Sequence, residues 1–321
     1  MKKTLLAIAV LGACAMTAQA ANVTLYGGVD GGFMYKNAKT TFQGNQVGQK
    51  ESSFKLADGL IGSNKVGIKG EEDIGNAKVG FKLENGFHLA NGAYKKDGTL
   101  FDREARLYVR GEFGEIAAGR FGALASAAGT YNLFFANADA FDGADNEIKT
   151  GFVKSSRYDN SLAYQSPEIA GVQGTLMYSF NKSKAQENKF KDNDRYIGAG
   201  LTFKHDALAV VGVVEGQIRD KTAKDQGVKN GFTYNLGANY DFGMATVFGG
   251  FQYARNAKFG EIDQYLDFAK VGAGFGAQNN KFMVDMINSG FAQDEHGVIQ
   301  NQNDDKLQNE AYVKQLLGLG L

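Results

Sequence analysis

The chain has no tryptophan, one proline (Pro167) and one cysteine (Cys14). Its 35 basic residues are matched by 35 acidic ones, so the formal charge is zero and there is no electrostatic case for nucleic acid as a partner. Histidine is scarce. His88, His205 and His296 lie far apart, with no serine at a spacing that suggests a nucleophile and its base, so hydrolytic catalysis has no visible constellation. Beyond the first twenty residues no stretch approaches the roughly 18 consecutive apolar residues of a spanning helix. What the chain does have is glycine, without the G-X-Y period of collagen, together with abundant Phe and Tyr. That mixture suits many strands joined by tight turns.

The opening MKKTLLAIAVLGACAMTAQA stands apart. Lys2 and Lys3 precede an apolar run that closes on Ala18-Gln19-Ala20, the layout of a secretory signal cleaved after Ala20. Leu11-Gly12-Ala13-Cys14 has some likeness to a lipoprotein processing site, but the Ala18–Ala20 site abuts the first strand directly. Cleavage removes Cys14, so the mature chain has neither disulfide nor thiol chemistry. An exported chain without a spanning helix is periplasmic, secreted or an outer-membrane barrel.

Alternation runs through the mature sequence. In NAKVGFKLENGF, Val79, Phe81, Leu83 and Phe87 share one parity and Lys78, Lys82 and Glu84 the other. VTLYGGVDGGFMY, NKVGIKGEED, EARLYVRGEF and EIAAGRF continue the pattern. It stops from Gly122 to about Ser155, then resumes at SRYDNSLAYQSP and runs on towards the end. The connections alternate as well. Short ones fall at Asp73–Asn76, Gly114, Pro167–Ala170, Asp206, Gly243 and Gln278–Asn280, and long ones fall between them. Long and short loops therefore lie at opposite ends of one meander, a parity that Greek-key sandwiches do not keep. Segments of about ten residues are also twice the usual sandwich strand and fit a tilted membrane crossing. The fold expected is all-β, a transmembrane antiparallel up-and-down β-barrel with apolar side chains outward to lipid and charges inward. Phe87, Phe113, Tyr164, Phe180, Phe203 and Phe242, near strand ends, fit interfacial girdles.

Residues 21 to about 275 resemble the general diffusion porins of Gram-negative outer membranes, in their beta-proteobacterial and neisserial trimeric branch. NVTLYGGVDGGF, SNKVGIKGEEDIGNAKVGFKLENGF, FDREARLYVRGEFGEIAAGRFG and SSRYDNSLAYQSPEIAGVQGTLMY carry the resemblance. It implies a barrel of 16 strands, a homotrimer, and a long third loop folded into the lumen. It further implies location in the outer membrane, among lipid and lipopolysaccharide, with passive diffusion of ions and small hydrophilic solutes and no cofactor or metal. About 14 strands are visible by alternation. The last residues are Gly318-Leu319-Gly320-Leu321, where relatives usually end in an aromatic; the readings are a missing C-terminal hairpin, which is favoured, a smaller barrel, or VKQLLGLGL as a closing strand cut short before its aromatic. Residues 21–321 then form the barrel, with 122–155 as constriction loop.

That loop carries Asp139, Asp142, Asp145 and Glu147. Family porins place basic residues at the starts of strands two, four and six, which by motif are Lys65, Arg106 and Arg157. Local parity agrees, since Lys65 opposes Val66 and Ile68, Arg106 opposes Leu107 and Val109, and Arg157 opposes Leu162 and Tyr164. Lys69 shares the face of Lys65, and Arg110 that of Arg106, whereas Arg103 points outward unless a bulge intervenes. Opposed basic and acidic rows would set a transverse field across the narrowest section. Asp142, Asp145 and Glu147 do not have the spacing of a calcium loop, and GAGFGA lies in a strand pattern with no helix after it. The alternatives are a surface protein whose polar outer loops 36–59, 182–194, 219–230 and 290–308 act as adhesin or receptor, and a barrel enzyme.

Overall fold

The computed structural model describes residues 23–40, 49–58, 63–138, 152–182, 192–258, 265–277, 283–288, 292–293 and 299–300. The strands are β1 (Thr24–Gly28), β2 (Gly31–Thr40), β3 (Gln49–Asp58), β4 (Lys65–Asp73), β5 (Ala77–Gly86), β6 (Glu104–Gly111), β7 (Gly114–Gly122), β8 (Arg157–Gln165), β9 (Val172–Ser179), β10 (Arg195–His205), β11 (Leu208–Ile218), β12 (Gly231–Asp241), β13 (Ala245–Lys258) and β14 (Tyr265–Ala277). Shorter pieces follow as β15 (Met283–Asn288), β16 (Ala292–Gln293) and β17 (Ile299–Gln300). Two short helices, α1 (Phe134–Ala138) and α2 (Lys221–Asp225), lie in long connections.

One antiparallel sheet runs β1-β4-β5 and then in sequence order to β14, with β15 and β16–β17 beyond. Every link from β4 to β14 joins neighbours in sequence, the meander expected from the loop parity. Its short turns have local chemical causes. Between β4 and β5 the Asp73 carboxylate accepts the Gly75 amide at 2.9 Å, and Gly75 takes a φ of +94°. Between β6 and β7 only Glu112 and Phe113 intervene. Between β10 and β11 only Asp206 and Ala207 do, with Asp206 at a φ of +48°.

The first strand departs from the sequence expectation. VTLYGGVDGGFMY is split at Val29-Asp30, where β1 leaves the large sheet and β2 pairs with β3 as a separate two-stranded sheet. Residues 36–59, expected as an outer loop, therefore lie largely in this hairpin. QKESSFKLAD is too polar for its alternation of Phe54 and Leu56 with Lys55 and Ala57 to stand out. Likewise 219–230 contains α2, capped by the Asp220 carboxylate accepting the Ala223 amide at 2.7 Å.

The alternation resolves into two faces. Leu107, Ile116, Leu162, Leu176, Leu201, Leu236 and Phe251 are exposed on one, and Arg106, Ala117, Ala163, Met177, Val211 and Val213 are buried on the other. Phe113, Tyr164, Phe180 and Phe242 are exposed at strand ends, and the Tyr164 hydroxyl donates to the Phe113 carbonyl at 2.9 Å. Phe87 differs, bridging Tyr94 within the 87–103 connection. The main apolar cluster lies on the inner face, built by the segment between β7 and β8.

Candidate functional site

After Gly122 the chain turns inward instead of crossing directly to β8. Ser126 ties the turn by donating to the Ala123 carbonyl at 2.7 Å and that of Ala128 at 2.8 Å. Leu133 then donates to the Leu124 carbonyl at 2.8 Å, closing a compact loop that leads into α1. Phe134, Phe135 and Phe152 meet edge to face with centroids 5.1–6.4 Å apart, all three buried. α1 packs on β11, β12 and β13. Its seat is the paired Gly237 and Gly250, where a Cβ would come within 2.4 Å of Ala138 and 2.8 Å of Phe152 respectively. Only glycine lets the loop approach this closely.

The near part of the loop touches the other wall. Thr130 donates to Glu104 at 2.7 Å, and the Tyr131 hydroxyl donates to Glu115 at 2.5 Å while accepting from Arg106 at 3.0 Å. The loop thus runs from β6–β7 to β11–β13 across the inner face. The return leg is held by side chains. Gln252 accepts the Val153 amide at 2.8 Å and donates to its carbonyl at 2.9 Å, and Asn239 donates to the Asn137 carbonyl at 2.8 Å.

The inner face of β4–β7 is an ion-pair network. Glu84 meets Arg103 at 2.6 Å, Lys82 at 3.7 Å and Lys65 at 3.9 Å, and it accepts the Tyr26 hydroxyl at 2.9 Å. Glu104 meets Lys82 at 2.8 Å and Arg106 at 3.0 Å, and Arg106 also pairs with Glu115. Towards the short turns, Glu71 pairs with Arg110 at 2.5 Å and Lys78 at 3.5 Å. Towards the long connections lies a recess of about 620 Å³, lined by Lys95, Lys96, Arg103, Arg120, Arg157 and Lys182 against Asp102 and Asp194. Glu84 on Arg103 and Asp159 on Arg120, at 2.6 and 2.5 Å, bring the carboxylates to four against six cations, which leaves the recess electropositive. Lys182 sits just past β9 beside Asp194 at 3.4 Å, and burial pushes its ammonium below the ordinary lysine range against the pull of that carboxylate.

The sequence-picked residues fall as follows. Lys65 lies on the inner face near Glu84, and Lys69 stands 5.7 Å over the Tyr26 ring. Arg106 is only 7% exposed, held between two carboxylates and a loop tyrosine. Arg157 lines the recess. Asp139, Asp142, Asp145 and Glu147 lie outside the described residues, as do the signal segment, His296 and the chain end. Arg103 turns inward, contrary to the parity expectation, because it precedes the first pair of β6 and its guanidinium reaches Glu84. His88 bonds Asp58 at 2.8 Å, and His205 lies 3.2 Å from Asp206.

Sequence reasoning passed over Glu84, Glu104, Glu115, Glu215, Arg120 and Lys182. The signal for Glu84 and Glu104 was present, since each shares the parity of a basic residue two positions away on its own strand. No pattern signalled the paired irregularity at Gly119 (φ +137°) and Asn160 (φ +49°). It shifts the register between β7 and β8 and buries Phe121 and Tyr158 together.

Comparison with known proteins agrees with this architecture. A family model described as Gram-negative porin matches residues 6–313. An outer membrane porin protein of Bordetella pertussis is 32% identical over 263 residues, 75% of this chain and 66% of that protein. Outer membrane porin protein 32 of Delftia acidovorans is 29% identical over 261 residues, 78% of this chain and 68% of its own length. The fold is similar to that of an anion-selective porin from Comamonas acidovorans, with a TM-score of 0.59 at 22% identity, covering 86% of this chain and 80% of that one.

Proposed function

Since the chain belongs to the family of Gram-negative porins, we propose that it forms a water-filled channel through the outer membrane for passive diffusion of ions and small hydrophilic solutes, with a preference for anions. The observation that carries the reading is the loop seated across the inner face, with charged walls on one side and apolar residues outward. A diffusion pore performs no reaction. It replaces hydrocarbon with water, and selectivity comes from the narrowest section and the charges around it. Low-dielectric walls focus the field there, so a few residues outweigh the net charge. The wall carboxylates are each matched by cations, whereas the recess towards the long connections has a surplus of positive charge. That surplus supports the anion preference.

In this reading Lys65, Lys69, Arg106 and Arg157 form the basic side of the constriction and Asp139, Asp142, Asp145 and Glu147 the acidic side. The assembly is a homotrimer whose exposed apolar faces meet lipid, lipopolysaccharide and neighbouring subunits. Planar bilayer recordings with the purified protein test it. A steady ohmic current with an anion-selective reversal potential in a salt gradient is expected. Neutralising Lys65, Arg106 and Arg157 should move that potential towards cations, and neutralising Asp142 and Asp145 should move it the other way. Absence of conductance would refute the channel. Unchanged potentials in both variant sets would refute the constriction assignment.

A further inference from the structure

Glu215 of β11 is 2% exposed, carries no basic partner within ion-pair distance among the described residues, and plays no part in the charged walls. Its carboxylate is nonetheless fully engaged. Oε1 accepts the Ala125 amide at 3.0 Å and the Tyr196 hydroxyl at 2.6 Å, and Oε2 accepts the Ser155 hydroxyl at 2.5 Å. Tyr196 in turn accepts the Leu124 amide at 3.3 Å. Ala125 is near the start of the inward loop and Ser155 near its end. The two legs also pair through their main chains, Ser155 donating to the Ala125 carbonyl at 2.8 Å and Ala123 to the Ser156 carbonyl at 3.1 Å. One carboxylate therefore pins both feet of the loop to one wall strand.

Resting on the channel reading above, we propose that Glu215 is a positioning residue that sets the width of the pore by clamping the two feet of the constriction loop. A carboxyl group suits this task, because its two oxygens can engage the two feet of the loop separately, one at Ala125 and the other at Ser155. A wall that offered only apolar contact would hold the loop down but would not fix where its feet stand. The residue itself never meets the solute, being covered by the loop it holds, so it acts on aperture and not on charge selection.

The test uses full-length protein reconstituted in bilayers, with folded barrels confirmed by heat-modifiable migration. In Glu215→Ala, loss of the acceptor should raise the population of released loop about tenfold. It is read as open-channel noise and as admission of larger uncharged polymers, with the reversal potential unchanged. Glu215→Gln keeps an acceptor for Ala125 and should restore most of the wild-type width. Ser155→Ala removes only one foot and should give a smaller effect of the same sign, and it decides the matter should Glu215→Ala fail to fold. Wild-type noise and polymer cut-off in the folded variants would overturn the clamp and leave the channel reading standing. A wild-type protein that passes no current would instead refute the channel reading itself.

Discussion

Gly237→Ala tests the position of the loop more severely than any charge change. The new Cβ would stand 2.4 Å from the Ala138 Cβ and 3.1 Å from Val211 Cγ1. Non-bonded carbons settle at roughly 3.5–4.0 Å, so α1 has to retreat by about 1.2 Å. It cannot retreat through the wall, because Gly250 beside it already leaves Phe152 at 2.8 Å from a notional Cβ. The one open direction is into the lumen. Overpacking of this kind costs about 1–3 kcal/mol. The variant should therefore lose thermal stability and, with the loop pushed inward, pass less current per channel. Gly249→Ala is the control. It lies one residue before Gly250 on the opposite face, and its notional Cβ meets nothing within 4 Å. Single-channel conductance and the unfolding midpoint of both variants are the assays. Equal conductance and equal midpoints for the two would mean that α1 does not rest on β12, and the site description would fail with it.

Leu236→Arg places a charge mid-strand on the outward face, where the leucine is 57% exposed. In a bilayer this should cost about 2–4 kcal/mol, measured by unfolding from lipid vesicles, whereas on a water-facing surface it would be nearly neutral. Arg103→Ala strips Glu84 of its 2.6 Å partner but leaves Lys82, Lys65 and Tyr26 in place, so a loss of about 2 kcal/mol in denaturant unfolding is expected. Burial makes Lys182 hold its proton less firmly than a free lysine, so its charge is lost earlier than usual as pH rises. Anion preference in reversal-potential measurements should decline on the alkaline side, and Lys182→Arg should remove that decline.

The barrel topology was legible because one physical rule governs most strands. A sheet with oil on one side and water on the other must alternate, and glycine or aspartate must mark each tight turn, as at Asp73–Asn76 and Asp206. The rule weakens where a strand leaves that environment. β2 and β3 stand apart from the large sheet, with Phe33 75% exposed and stacked on Phe54 at 5.7 Å, and their mixed composition looks like loop. It also fails at the Gly119 and Asn160 irregularity, because an inserted residue flips the face of everything before it. The parity that agrees with the motif placement of Arg157 runs from Leu162 through that point, where Tyr158 and Ser161 are both buried, which strict alternation forbids.

The inner face resisted the sequence for a different reason. Parity tells which side a charge is on, but not whom it meets. Lys65 and Arg106, expected to oppose the acids of the loop, also have acids beside them on their own wall, Glu84 at 3.9 Å from Lys65 and Glu104 at 3.0 Å from Arg106. Arg106 touches Glu104, Glu115 and Tyr131 together, and these come from β6, β7 and the inward loop. Each such carboxylate cancels part of the field a bare row of cations would set, so the selective charge has to be sought where the pairing is incomplete. Among the described residues cations exceed carboxylates in the recess towards the long connections, where Lys95, Lys96, Arg103, Arg120, Arg157 and Lys182 stand against Asp102, Asp194, Glu84 and Asp159. The same logic explains Glu215. Sitting in a strand as apolar as LAVVGVVEGQI, it looks like an isolated acid, and only the fold reveals that two distant stretches of one loop come to rest on it.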